Sequence, residues 1–349
     1  MQIDIKNQKI ILDVDTGVDD ALAILLLAKI IPEQILGITT CGGNVELNQV
    51  NKNTLGVLSL QEKLIKVYVG SSKTIENREF NFAKDYHGEN GLCGIEYKTN
   101  QKPEIISACD FIISSAETYP NNLTLINIGP VTNLAKSLMK RPEIASKINQ
   151  VVMMGGAVEV EGNETDFAEF NFYQDPEAVK IVFEKIKNIY LVPLDVTGKC
   201  LIKKEDLAEF NSKSRVGKFV IKLINNWYKF FGDYKNRFFE LYDPLVASAI
   251  LGDFLEFSKE KLDIETKGNK RGGLIKGEGR EISYASKVKS REFINFFKTM
   301  INDDQEKPPE TSSVKKQEKF WCSFVFILWL LVIWFLVTNT IGCLTMGPL

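Results

Sequence analysis

"IILDVDTGVDDALAILLLAK", residues 10–29, joins a strand-like apolar run to a helix-like one and crowds Asp13, Asp15, Asp19 and Asp20 into the junction. Gly17 lets the backbone fold back between the two runs. Asp19 and Asp20 then open the helix, where unpaired N–H groups and the helix dipole favour negative charge. Capping accounts for one aspartate, not for three around a single turn. Carboxylates that converge need a cation, or else one must hold a proton. An oxygen-only donor set without His or Cys suits calcium or magnesium.

The same strand-then-helix rhythm extends outward. Apolar runs recur at "KIILDVD" (9–15), "QILGITT" (34–40), "IKVYVG" (65–70), "LTLINIG" (123–129), "NQVVMMGG" (149–156) and "NIYLVPLDV" (188–196). Helix-like segments at 19–31, 46–60, 104–118, 131–139, 176–186 and 214–231 lie between or beyond them. The alternation predicts an α/β fold, an open and mostly parallel sheet with helices on both faces. Ligands of such sheets sit at the carboxyl ends of the strands, where the aspartates lie. After Leu251, "FSKEKLDIETKG" and "GGLIKGEGREISYAS" read as strands with Gly-rich turns, and "REFINFFKTMI" as a closing helix.

Hydrophobic residues make up 44% of the 349 and charged residues 25%, an ordinary globular balance. With 43 basic and 45 acidic residues the net charge is −2, which gives no electrostatic case for nucleic acid as a partner. The six cysteines form no CxxC pair and read as reduced thiols.

The two ends differ. No basic start followed by an apolar core marks the N-terminus as a signal peptide. At the other end, Phe320 to Val337 is 18 residues without a charge, enriched in Trp and Phe. That is about the length needed to cross a hydrocarbon core of ~30 Å. The expected organisation is a catalytic domain over 1–301, a polar linker over 302–319 containing Pro308-Pro309, a transmembrane helix over 320–341 and a tail over 342–349. Lys315, Lys316 and Lys319 precede the span and place the domain on the cytosolic side of a tail-anchored protein. Sequons at Asn122 and Asn163 agree with a cytosolic domain, where neither is glycosylated.

Two families begin with such a stretch. Haloacid dehalogenase-like phosphatases share the look of "DVDTG", but they set their second acidic pair at a distant strand end, whereas here it lies four residues on, in the same turn. The nucleoside hydrolase family is the closer match. "DVDTGVDDALAI" resembles its calcium-binding signature, "TTCGGN" (39–44) its second strand end and "HGENGLCG" (87–94) its mobile-loop motif. "INIGPVTNLA" (126–135), the segment from Val151 to Ala178 and "LYDPLVASAIL" (241–251) follow in family order.

The resemblance implies calcium-dependent cleavage of the N-glycosidic bond of ribonucleosides, releasing base and ribose. It implies that Asp15, Asp20, the Ile128 carbonyl and Asp243 hold Ca2+, with Asp15 also the general base. Asp19, Asn44, Met154, Asn163, Glu169 and Asn171 would contact the ribose. For the leaving base, two residues compete. Tyr242 stands where many pyrimidine- and inosine-accepting members have a histidine, and His87, the single histidine of the chain, falls on the loop motif. The aromatic at 242 resembles purine-specific members, so the chain mixes features of both. A homo-oligomer is implied by resemblance only. The competing reading, motivated by Tyr242, is a membrane-anchored, non-catalytic nucleoside- or ribose-binding relative.

Overall fold

In the computed structural model, which describes residues 8–61, 64–231 and 238–303, β1 (Lys9–Val14) is an interior strand of a nine-stranded sheet, third from one edge. Its side chains alternate between faces. Ile10, Leu12 and Val14 join one hydrophobic cluster and Ile11 the other. Next, α1 (Val18–Ile30) is buried on every side from Val18 to Ala28. A helix apolar all round belongs inside the core, which is why it shows no polar face.

The chain then builds the short side of the sheet through β2 (Ile35–Thr40), α2 (Leu47–Leu58) and β3 (Val67–Val69). After the single turn α3 (Lys84–His87) and α4 (Ala108–Thr118), it returns to the other side of β1 as β4 (Leu123–Asn127). α5 (Thr132–Lys140), β5 (Ile148–Met154), α6 (Phe170–Gln174), α7 (Pro176–Lys185), β6 (Ile189–Val192) and α8 (Leu194–Thr197) continue outward. A small hairpin-like pair, β7 (Leu201–Ile202) and β8 (Phe239–Glu240), brackets the long α9 (Arg215–Phe230). Finally come α10 (Tyr242–Ser248), β9 (Leu255–Ile264), β10 (Leu274–Lys276), β11 (Arg280–Val288) and α11 (Ser290–Asn302).

The strand order is β10-β9-β11-β6-β5-β4-β1-β2-β3. All pairs are parallel except those β9 makes with its two neighbours. Residues of α1, α2, α9, α10 and α11 share one core cluster, and those of α4, α5 and α7 the other, so helices cover both faces. The chain leaves β1 for β2 on one side and comes back for β4 on the other. That reversal opens a crevice at the carboxyl ends of β1 and β4, the place where open parallel sheets bind ligands.

The expected helix at 104–118 starts later, at Ala108, because the Ser107 side chain accepts the Asp110 N–H and caps it there. Among the described residues no helix is long and apolar enough to cross a membrane. The run at 320–341 and the linker before it from residue 304 lie outside the described residues.

Candidate active site

β1 ends at Val14, and the next residue, Asp15, lies fully buried just past the carboxyl end of the strand. Its backbone N–H donates to Asp20 Oδ1 at 3.2 Å, and its own Oδ2 accepts the Asn44 N–H at 2.9 Å. Oδ1 of Asp15 is buried with no hydrogen-bond partner. Gly43 lets the backbone come this close, since a Cβ there would stand 2.1 Å from Asp15 Oδ2. Asp20 is held harder. Its Oδ2 accepts Gly17 N–H at 2.8 Å and the Asn44 Nδ2 at 3.1 Å. Gly17 turns out not to be there for a left-handed turn, as its φ is −100°. A Cβ at that position would meet His87 Nδ1 at 2.4 Å.

Asp19 and Asp20 on the first turn of α1 meet Asp243 on the first turn of α10, with one oxygen from each within 4.8 Å of the others. All three are buried, and Asp19 Oδ1 has no hydrogen-bond partner. Burial first, and then neighbouring charge, drives Asp15, Asp19 and Asp243 well above the usual carboxylate range. Burial lifts Asp20 to about 6. Two helix N-termini do not neutralise so much buried charge. Orphaned hard oxygens beside converging carboxylates fit a divalent cation bound by oxygen. Asp15, a ligand by what the resemblance implies, lies outside the compact trio of Asp19, Asp20 and Asp243 but is tied to it through Asp20.

Asp13, one strand position before the turn, belongs to a separate buried network. Thr39 Oγ1 and Asn133 Nδ2 donate to its Oδ1 at 2.6 and 2.8 Å, and Asn127 Nδ2 to its Oδ2 at 3.2 Å. That network locks β1, β2 and β4 together behind the crevice.

A cavity of about 760 Å³ opens above the carboxylates. Of the residues expected at the site, Asp19, Asn44, His87, Ile128, Met154, Asn163, Glu169, Asn171, Tyr242 and Asp243 all line it, and Asp15 and Asp20 lie fully buried nearby. The Ile128 carbonyl accepts Asn171 Nδ2 at 3.1 Å, and the same amide reaches Met154 Sδ at 3.4 Å. Glu169 is not on an extended segment with Asn171, as the alternation "AEFNF" suggests. It caps α6, and its carboxylate accepts the N–H groups of Asn171, Phe172 and Gly156 at 2.9, 3.1 and 3.0 Å. Burial still lifts it to about 7. Asn163 is exposed at the rim, where its Oδ1 accepts the Phe170 N–H.

A model of the family described as inosine-uridine preferring nucleoside hydrolase matches residues 10–312. The chain belongs to this family. It is 31% identical over 283 residues to uridine nucleosidase 1 of Arabidopsis thaliana, covering 78% of this chain and 83% of that protein. Among solved structures, the purine-preferring ribonucleoside hydrolase from Gardnerella vaginalis matches at 32% identity and a TM-score of 0.79, over 84% of this chain and 98% of that one. A plant nucleoside hydrolase matches at 25% identity and a TM-score of 0.80, over 85% and 100%. This nucleoside hydrolase is therefore an N-ribosyl hydrolase by family, and its relatives carry names that divide between pyrimidine and purine bases.

One wall of the cavity is aromatic and was not legible as a unit. Tyr86, Trp227, Phe231, Phe238 and Glu240 line it together with Tyr242. His87 Nδ1 accepts the Val18 N–H at 3.1 Å, so the ring is neutral with its proton on Nε2, and burial pushes its pKa down to about 3. His87 can offer a hydrogen bond from Nε2 but holds no second proton to release at neutral pH.

Proposed function

We propose that this protein is a calcium-dependent ribonucleoside hydrolase, which releases a free nucleobase and ribose. The observation that carries the reading is the buried carboxylate cluster at the sheet's reversal point, beneath a cavity lined with amide and carboxyl groups. Asp15, Asp20, Asp243 and the Ile128 carbonyl would hold the ion. When bound, it supplies positive charge that orders the sugar's vicinal hydroxyls and makes water easier to deprotonate. Asp15, with one oxygen free of partners, takes the proton from the attacking water as general base. Asp19 accepts a hydrogen bond from the ribose 2′-hydroxyl. Asn44, Asn163 and Asn171 offer the mixed donors and acceptors that a sugar requires, and Met154 packs beside them. Bond breaking builds positive charge on C1′ and the ring oxygen, and a carboxylate-rich pocket stabilises it. Glu169 Oε1 accepts one backbone N–H and Oε2 two, so Oε1 keeps a lone pair with which Glu169 accepts a hydrogen bond from the ribose.

Purified protein should release ribose from a nucleoside panel, and prior chelation should stop it. Tyr242 faces the base end, so Tyr242→Ala should lower kcat/KM for the preferred nucleoside by about 5- to 150-fold, the range of ~1–3 kcal/mol for a base–aromatic stack. Ribose release that is absent across the panel with calcium present would favour the non-catalytic binding reading. An unchanged kcat/KM in Tyr242→Ala would remove that side chain from base recognition.

We also propose that the charge-free run at 320–341 anchors the protein in a membrane with the domain in the cytosol, and that copies of the domain associate. A glycan at Asn163 would stand at the rim of the cavity, which supports the cytosolic side. Protease added to intact membranes should digest the domain. Protection of the domain together with an endoglycosidase-sensitive mass would reverse the topology, and a full-length chain that stays out of the membrane fraction would remove the anchor.

A further inference from the structure

The segment from Asn81 to His87 forms part of the cavity wall, and a side chain behind that wall fixes where it starts. Asn81, Phe82, Ala83, Asp85, Tyr86 and His87 line the cavity. Asn81 is exposed, yet one side chain takes both polar groups of its backbone. Its N–H donates to Gln174 Oε1 at 2.9 Å, and its carbonyl accepts Gln174 Nε2 at 2.8 Å. A primary amide offers an acceptor and a donor side by side, so it pairs with one residue's backbone as a neighbouring strand would. Gln174 itself is buried and is not among the residues that line the cavity.

Gln174 closes α6, the single turn that begins at the Glu169 cap. Asn171 lies three residues earlier on that turn, so the two side chains leave the same side of it. Asn171 binds the Ile128 carbonyl and lines the cavity, while Gln174 reaches the segment. The following residues continue the grip. Asp175 Oδ2 accepts the Ile75 N–H at 2.8 Å, and Glu177 Oε2 accepts Arg78 Nη2 at 2.6 Å. The other end of the segment is seated beside the carboxylates. Ala83 N–H donates to the Asn44 carbonyl at 3.0 Å, and His87 Nδ1 accepts the Val18 N–H at 3.1 Å. The segment therefore runs from the turn that carries Asn171 to the start of α1. Phe80, buried against Gly42, docks the chain just before it.

We propose that Gln174 is a positioning residue, which ties the turn carrying Asn171 to the segment 81–87 and so sets the sugar contacts and the cavity wall as one unit before substrate arrives. The proposal rests on the hydrolase reading and deepens it. Loss of the tie leaves the exposed Asn81 backbone to water and Phe80 still docked, so the segment loosens locally and the fold persists. Substrate then meets a wall that is seated only part of the time, which weakens apparent affinity by that fraction. Once substrate is bound the wall is complete, and bond breaking proceeds as before.

Gln174→Met keeps the length of the side chain and removes both hydrogen bonds. In the full-length protein without ligand, amides of the segment 81–87 should exchange with deuterium about 5- to 150-fold faster than in wild type, the equivalent of two neutral hydrogen bonds. Amides of β1 and β4 should keep their rate. With the nucleoside that wild type cleaves best, KM should rise about 5-fold or more and kcat should stay within about 2-fold. Arg78→Ala removes an exposed ion pair from the chain just before the segment and should leave both constants unchanged. Exchange at the wild-type rate in Gln174→Met, or an unchanged KM, would overturn the proposal. A fall in kcat at constant KM would also overturn it, because Gln174 would then act in the chemistry. An equal rise of KM in Arg78→Ala would do the same, since the effect would be general loosening. If Gln174→Met loses its thermal transition, Gln174→Glu, which keeps the acceptor and loses the donor, decides in the same way. If no nucleoside is cleaved, the hydrolase reading fails alone. Faster exchange in 81–87 with a weaker calorimetric Kd for inosine would then still support the tie, and wild-type values of both would overturn it.

Discussion

Asp20→Ala is expected to lose calcium binding and turnover together, with ribose release falling by more than about 10³-fold. Loss of an outer partner of a metal site costs ~10–100-fold, and Asp20 is proposed to touch the ion itself. Three donors also lose their acceptor, since Asp20 takes hydrogen bonds from Asp15 N, Gly17 N and Asn44 Nδ2. Each buried donor left unsatisfied costs roughly 1–3 kcal/mol. Relief of repulsion with Asp15, Asp19 and Asp243 opposes that cost, but those neighbours keep repelling one another. The thermal midpoint of the calcium-free variant should therefore lie below that of the calcium-free wild type. Calorimetric titration with calcium and a melting curve in chelator check both halves. Tight calcium binding by the variant, or turnover that persists after chelation, would take Asp20 out of the metal site.

The same residues show what the sequence made legible. The cluster at Asp13 to Asp20 stood out because strand and helix periodicities change across a few residues, and charge at such a junction has no place in a core. The parallel sheet followed from the same alternation. Asp243 had no such signal, for it is an ordinary acidic residue at the start of a short helix. Only the resemblance attached it to a site that α1 and α10 assemble in space. Ile128 acts through its carbonyl, so its side chain carries no information. The α6 segment misled because Phe170 and Phe172 alternate like a strand, whereas Glu169 captures three N–H groups and winds the chain into one turn. The base end was the least legible part. Tyr86, Trp227 and Glu240 come from a one-turn helix, a long helix and a two-residue strand, and only tertiary packing brings them together.

Asp15→Asn should separate the two roles proposed for Asp15, because asparagine has nearly the same shape. The space is tight, with Gly43 packed against Asp15 Oδ2, and the amide fits where the carboxylate did. Its oxygen can still accept the Asn44 N–H that Asp15 accepts at 2.9 Å. The amide nitrogen then takes the position of Oδ1, which has no partner now, and its N–H groups turn to the neighbouring Asp20 carboxylate, without which they would cost part of the gain. What is lost is a buried negative charge, and with it the base. Removal of a general base costs ~10²–10⁴-fold in rate, so kcat should fall within that range while KM moves far less. Calcium should bind more weakly, since one anionic group near the ion has become neutral, but binding should survive on Asp20 and Asp243. Stability should move the opposite way from Asp20→Ala. Burial and the charges of Asp20 and Asp19 drive the Asp15 carboxyl well above its usual range, so its ionised form strains the calcium-free fold. The neutral variant should melt higher than wild type in chelator. A kcat within about 5-fold of wild type would show that another group takes the proton. A calcium-free variant that melts lower than wild type would show that Asp15 contributes a bond in the fold that outweighs the repulsion it suffers.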